Sequence, residues 1–245
     1  MAEKQAAMYF TDPQMQRAAE AIFMGDTAAL EKALQNVSDI NAHAPGGPPE
    51  NEGPTLLILA VQRNKLELVR ILIEHGANPN YNPPKNLNAL AWSTWGPEKE
   101  TFYYLMQHGG SANLKDYRGT PLTFEAASQL HFDEMWYLLD HGADMNAKGR
   151  AGQTLIVELA DINQFEQVSK LIERGADYSI PDATGATVAF IAQDAHVSPE
   201  FEPWRQKVIQ MLKDRGIKFP VPHPPMWDPD QKKFVPYHES TPSQQ

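Results

Sequence analysis

The sequence predicts an all-α repeat solenoid: about six stacked helix-turn-helix units with β-turn tips, closed by a Pro-rich C-terminal cap. Two observations carry this expectation. A tetrapeptide pattern recurs as His75-Gly76-Ala77-Asn78, His108-Gly109-Gly110-Ser111, His141-Gly142-Ala143-Asp144 and Arg174-Gly175-Ala176-Asp177, and its glycines keep a period of 33 residues. A fixed period of that order marks a stacked array. Each glycine also follows an apolar run at helical phase: Leu68-Val69-Arg70-Ile71-Leu72-Ile73, Phe102-Tyr103-Tyr104-Leu105-Met106, Met135-Trp136-Tyr137-Leu138-Leu139 and Val168-Ser169-Lys170-Leu171-Ile172. Glycine at the end of an apolar helix is the residue expected in a left-handed C-cap, where a Cβ is penalised.

The first unit spans about residues 12–41. Residues 14–24 read as its first helix, Gly25-Asp26 as a tight turn and 27–36 as its second helix, with Ala18, Ala21, Ile22, Leu30, Ala33 and Leu34 at helical spacing. Asp12-Pro13 supplies an N-cap and a proline in the first turn. Residues 42–53, with Pro45, Gly46, Gly47, Pro48 and Pro49, form an inserted loop that lengthens the unit by about six residues. Units at about 53–80, 86–113, 119–146 and 152–179 follow the period. The last, about 185–216, has a first helix over 187–195, a longer connection with Pro199 and Pro203, and a second helix over 204–214 capped by Gly216.

Residues 1–216 thus form the repeat domain, and 217–245 a tail with seven prolines and no period. Phe219, Val221, Met226, Trp227, Phe234 and Tyr237 are too many large apolar groups for a solvated tail. Its first part is expected to pack extended against the last helices as a cap, because a terminal unit has only one neighbour. Residues 240–245 are expected to be disordered.

Composition narrows the function classes. A hydrophobic content of 42% permits a sizeable core, and a net charge of −10, from 21 Lys+Arg against 31 Asp+Glu, repels phosphate backbones. Nucleic acid is therefore excluded as the expected partner, and a protein with a basic patch is favoured. The absence of cysteine removes disulfides, thiolate zinc sites and cysteine nucleophiles. No apolar window is long enough to span a membrane. The opening Met1-Ala2-Glu3-Lys4-Gln5-Ala6-Ala7 lacks the apolar stretch of a signal peptide, so the protein is either cytoplasmic or has lost a leader.

Gly119-Thr120-Pro121-Leu122 resembles the Thr-Pro-Leu-His signature of ankyrin repeats, in which the threonine opens the first helix. Thr55-Leu56-Leu57, Thr154-Leu155-Ile156 and Thr187-Val188-Ala189 are looser copies without the proline, and Asn88-Ala89-Leu90 is the weakest. The signature histidine is absent, its place taken by Ile58, Ala91, Thr123, Val157 and Phe190. With the 33-residue period, these motifs resemble the ankyrin repeat family. That resemblance implies that His75, His108 and His141 hydrogen-bond neighbouring loops. It also implies that turn tips and first-helix faces form one concave partner-binding surface.

No phosphate loop, His-Glu-x-x-His helix or Gly-x-Ser-x-Gly elbow is present, and the remaining histidines (His43, His131, His196, His223, His238) are scattered. No catalytic site, metal site or cofactor is expected. The carboxylates Glu98/Glu100 and Asp133/Glu134, at the starts of second helices, are expected to complement the helix dipole and face solvent.

By register with the family, the partner-facing positions on first helices are Phe23 and Met24, Gln62 and Arg63, Trp95, Ser128 and Gln129, Asp161 and Ile162, and Asp194. On the tips they are Tyr117 and Arg118, Arg150 and Gln153, and Ala183 and Thr184. Trp, Tyr and Arg are the types enriched at binding hot spots. The competing role for Trp95 is packing inside the stack beside Trp92. The loop at 42–52 and the Tyr81-Asn82-Pro83-Pro84 turn would lie at the rim.

The expected function is protein binding by a chain monomeric on its own. Tyr9-Phe10-Thr11-Asp12-Pro13-Gln14 before an Ala-rich helix and Gly25-Asp26 is similar to short bacterial ankyrin proteins. Those often carry a lipoprotein leader and are commonly encoded beside effectors of type VI secretion. This implies a periplasmic immunity protein that binds a cognate toxin and occludes it. The alternatives are a cytoplasmic adaptor scaffolding an enzyme, and a small-ligand or enzyme-accessory domain, for which no residue speaks.

Overall fold

The computed structural model describes residues 2–44, 53–97, 99–228 and 233–235. The chain divides into two compact bodies, Met1–Asp144 and Met145–Gln245.

In the first body, helix pairs form on the expected units: α2 (Pro13–Met24) with α3 (Thr27–Leu34), α4 (Leu56–Gln62) with α5 (Leu66–Glu74), α6 (Ala89–Trp95) with α7 (Lys99–Gln107), and α8 (Leu122–Ser128) with α9 (Phe132–Asp140). First helices stack on first helices, α2 on α4 on α6 on α8, and second helices α3, α5 and α7 stack likewise. Sandwiched in this way, α4 buries every residue from Leu56 to Val61, as an all-apolar helix must. The outer α5 buries one stripe, Leu68, Val69, Ile71 and Leu72. The glycines of the tetrapeptide pattern in this body take positive φ, 90° at Gly76, 96° at Gly109 and 89° at Gly142, as the C-cap reading requires.

Helix starts obey the period more strictly than the signature motif suggested. Thr55, Asn88, Pro121, Thr154 and Thr187 are the residues before the first helices, each 33 after the last. Thr55, Asn88 and Thr187 cap their helices through the side chain. Thr120, read as the helix-opening threonine, lies one residue too early: its backbone N–H donates to Asp116 Oδ1 in the tip (2.8 Å), and Pro121 holds the pre-helix place. The Thr-Pro-Leu match at 120–122 is therefore out of register with the other copies.

The histidines also differ from expectation. The rings of His75, His108 and His141 bond back to the carbonyls of Ile71, Tyr104 and Tyr137 in their own helices, each at 2.8 Å, instead of reaching neighbouring loops. Asparagines make the inter-unit link. Asn41, Asn80 and Asn113 each accept from a backbone N–H of the next unit, Asn78, Ser111 and Asp144, and donate to Gly76, Gly109 and Gly142 carbonyls. In the second body Asn146 accepts likewise from Asp177. A primary amide can answer an N–H and a C=O at once, whereas one ring nitrogen can answer only one of them.

Glu134 is a further correction. It is buried at 1% exposure and accepts from Lys99 Nζ at 3.1 Å, while Asp133 faces solvent. The hydrogen bond that Lys99 donates to Glu134 holds its ammonium above the ordinary range. Glu98 lies outside the described residues. An additional helix, α1 (Ala2–Tyr9), packs on α2 through buried Ala6 and the Tyr9–Phe23 ring contact at 5.8 Å. Its sparse apolar pattern gave no periodic signal. The inserted loop begins and ends on a backbone pairing of Ala44 with Gly53 and Pro54, and residues 45–52 of it lie outside the described residues.

The second body pairs α10 (Leu155–Asp161) with α11 (Phe165–Glu173) and α12 (Val188–Asp194) with α13 (Glu202–Asp214). Gln193 exchanges both side-chain bonds with the backbone of Val221 (2.8 and 3.2 Å), and His223 sets its ring edge-on to Phe190, so this part of the tail lies along α12. Beyond it, β1 (Met226–Asp228) and β2 (Lys233–Val235) form an antiparallel ribbon that the proline-rich sequence did not suggest. Tyr237, His238 and residues 240–245 lie outside the described residues.

Candidate protein-binding surface

The ends of the first helices in the first body are tied into a row. Arg63 donates to the Phe23 carbonyl (3.3 Å), Lys65 to the Gly25 carbonyl, and the His131 ring bonds the Thr94 carbonyl at 2.6 Å. Gly96 lies against the Asn64 side chain. This row carries the expected residues Arg63, Trp95 and Gln129, all exposed, and half-buried Phe23.

Trp95 both packs and faces outward. Its ring meets Trp92 edge-to-face at 5.9 Å, yet 43% of it remains exposed. Its Nε1 donates to Glu125 Oε2 at 3.0 Å. Glu125 sits at the core-facing position that Leu59 and Trp92 hold in earlier units, and it is 4% exposed. Burial pushes its carboxyl above the ordinary range, and the Trp95 and Arg118 contacts offset this only in part.

Arg118 completes the cluster. Its guanidinium reaches Glu125 Oε1 at 2.7 Å and Asp116 Oδ2 at 2.5 Å. Asp116 is buried, which opposes its charge, but the Thr120 N–H, the Arg118 side chain and the Arg118 N–H together hold its carboxyl below the ordinary range. The same Asp116 oxygen that accepts from Arg118 N and Thr120 N closes the tip, with Gly119 at φ 82° completing the turn. Tyr117 is thereby projected outward, 43% exposed, with the Arg118 guanidinium 5.5 Å from its ring centre. Arg118 acts within the surface as the support of Trp95 and Tyr117.

Leu130, beside Gln129, was not singled out by the sequence reading. It takes φ 59°, the left-handed region, and is 54% exposed. Asn64 and Asn163 hold the corresponding place in other units at φ 53° and 60°. A leucine there is strained and unburied, a combination that points toward use rather than packing. A branched residue at a place given to Asn in two other units, at Asn64 and Asn163, was the available signal.

In the second body Arg150 and Ile162 are exposed, as are Asp161 and Asp194. Asp161 and Asp194 border a groove of about 410 Å³ with Asp182, Thr184, Ile191 and His196. Gln153 donates to Glu158, the register counterpart of Glu125, at 2.7 Å, an uncharged donor in a unit where Ala151 stands in the Arg118 place. Among the described residues, no group of three or more potential ligands is arranged to hold a metal ion, and no helix is long and apolar enough to cross a membrane.

Comparison with known proteins agrees with this architecture. Residues 16–116 match the family model described as ankyrin repeats, in three copies. No curated protein matches the chain by sequence. Among solved structures, the crystal structure of EF0377, an ankyrin repeat protein, superposes with a TM-score of 0.65 at 23% identity, covering 80% of this chain and 96% of that one. The chain thus has the fold of ankyrin repeat proteins, a scaffold for protein–protein interaction, with the repeat recognisable by sequence over residues 16–116.

Proposed function

We propose that this protein is an immunity protein that binds a cognate secreted toxin through the Trp95–Tyr117 surface and neutralises it by occlusion. The observation that carries the binding surface is the Trp95–Glu125–Arg118–Asp116 network. It holds two half-exposed aromatics and an arginine in fixed positions. Aromatic anchors whose rotamers are already fixed lose little entropy on binding. Leu130 and Gln129 extend this surface in the first body. The neutralising role rests on the resemblance of residues 9–26 to short bacterial ankyrin proteins encoded beside secreted effectors.

The test is protection of cells producing the toxin encoded beside this chain. Trp95→Ala and Tyr117→Ala should stay folded and fail to protect, while Lys170→Ala on α11 protects fully. Protection by both aromatic variants at the wild-type level would overturn the proposal.

A further inference from the structure

Glu125 is held by donors on both of its oxygens. Oε2 accepts from Trp95 Nε1 at 3.0 Å, and Oε1 accepts from the Arg118 guanidinium at 2.7 Å. The residue is 4% exposed, so little water reaches it. An ionised carboxylate answers both donors, because it only accepts, whereas a protonated one must turn an O–H toward one of them. The cation decides which. A proton on Oε1 would face the Arg118 guanidinium, while one on Oε2 faces an uncharged indole. Protonation therefore falls on Oε2, where O–H and Nε1–H meet donor to donor and the Trp95 bond is lost. Arg118 keeps both Oε1 and Asp116. Little else fixes the ring. Trp95 is the last residue of α6, and its places in the other units hold Gln62, Ser128, Asp161 and Asp194, all exposed. Its remaining aromatic contact is the edge-to-face meeting with Trp92 at 5.9 Å.

We propose that Glu125 is a proton-operated lock on the binding surface: ionised, it fixes Trp95 for the partner, and protonated in mild acid, it frees the indole and lets the partner go. The inference rests on Trp95 being a partner anchor, since an anchor that must be reordered on binding costs affinity. The charged groups facing Glu125 are Arg118 and Asp116 of the tip. Of the helices packed on α8, α6 carries no charged residue. On α9, Asp133 and Glu134 are engaged with Lys99 of α7, and Asp140 is exposed in the last turn. His131, just before α9, bonds the Thr94 carbonyl next to Trp95 at 2.6 Å. Burial outweighs the Trp95 and Arg118 contacts and raises the Glu125 carboxyl above its ordinary 4.5, which places its proton uptake on the neutral side of that value.

The first test needs no partner. The full chain is titrated from about pH 7 to about pH 4.5 and the Trp95 indole N–H is followed by NMR, with Trp95→Phe to assign it. The resonance should move upfield, and its exchange with water quicken, as Glu125 takes up a proton. His131→Asn should leave this transition in place. Glu125→Gln copies the protonated form, because Arg118 attracts the amide oxygen and the NH2 is left facing Trp95. It should show the freed indole already at about pH 7, with no further change in acid, so the test stands even if acid unfolds the chain. Binding is then measured against the toxin encoded beside this chain. Glu125→Gln should bind at least about fivefold more weakly than wild type at about pH 7 and equally at about pH 5, and this convergence separates Glu125 from titrating groups of the toxin. An indole resonance indifferent to both pH and Glu125→Gln, a transition abolished by His131→Asn, or an affinity ratio unchanged between the two pH values would each overturn the proposal. Trp95→Ala at neutral pH tells the two failures apart: wild-type binding by it means the surface reading has failed, and weak binding means the lock alone has.

Discussion

Replacing Arg118 with methionine tests whether the Trp95–Tyr117 surface depends on a buried electrostatic support. The substitution keeps much of the side-chain bulk and removes the cation. Asp116 then retains its two backbone N–H donors, while Glu125 retains only Trp95 Nε1. Breaking a buried ion pair costs about 3–5 kcal/mol because the remaining charge is unpaired. A third of the Arg118 side chain is exposed, so solvent screens part of the interaction and the expected loss falls to about 2–3 kcal/mol. At roughly 2–4 °C per kcal/mol, the thermal midpoint should drop by several degrees. The pH dependence is more specific. Glu125 has a raised carboxyl, so its contribution to stability is full below its ordinary 4.5 and is lost as pH rises through the folded value. Asp116 has the opposite sign: its contribution is present above 3.8 and is lost as pH falls through its lowered value. The gap between wild type and Arg118→Met should therefore narrow as pH falls from 7 towards 4.5, because the raised carboxyl of Glu125 takes up a proton and less charge is left without its partner. Urea unfolding followed by helical circular dichroism at several pH values measures it. A loss below about 0.5 kcal/mol at pH 7, or a gap that does not narrow, would refute the reasoning.

Leu130→Asn should raise stability by about 1 kcal/mol by relieving the left-handed backbone of a side chain that buries little, and a lower thermal midpoint would count against strain at this position. Asn113→Ala removes the bonds to Gly142 O and Asp144 N and should cost about 1 kcal/mol, with faster amide exchange at Asp144; unchanged exchange would mean that the asparagine ladder does not hold the units together.

The repeat was legible because its signals are backbone requirements. Positive φ at Gly76, Gly109 and Gly142, and apolar stripes on the second helices, recur wherever the unit recurs. The same logic governs Thr120: the tripeptide at 120–122 matches the Thr-Pro-Leu signature, but the 33-residue spacing places Pro121, not Thr120, with Thr55 and Thr154. Trp95 and Tyr117 could be placed by register, since that fixes which way a helix or tip residue points. What Arg118 does was not legible, because its partners Asp116 and Glu125 are defined by the fold around it. Glu125 in a core-facing place and Leu130 in a place that Asn64 and Asn163 hold in two other units were visible in the sequence, yet only the geometry gives them a meaning. For α1 and the 226–235 ribbon, contacts to neighbours replace local periodicity, which left no pattern to read.

The most direct test of the central claim is the affinity of purified chain for its partner protein, by calorimetry, for Trp95→Ala and Tyr117→Ala beside Lys170→Ala. The account predicts a loss of about 2 kcal/mol or more, roughly thirtyfold, for each aromatic variant and near-neutral behaviour for Lys170→Ala. Equal losses in all three variants, or a loss confined to Lys170→Ala, would contradict it.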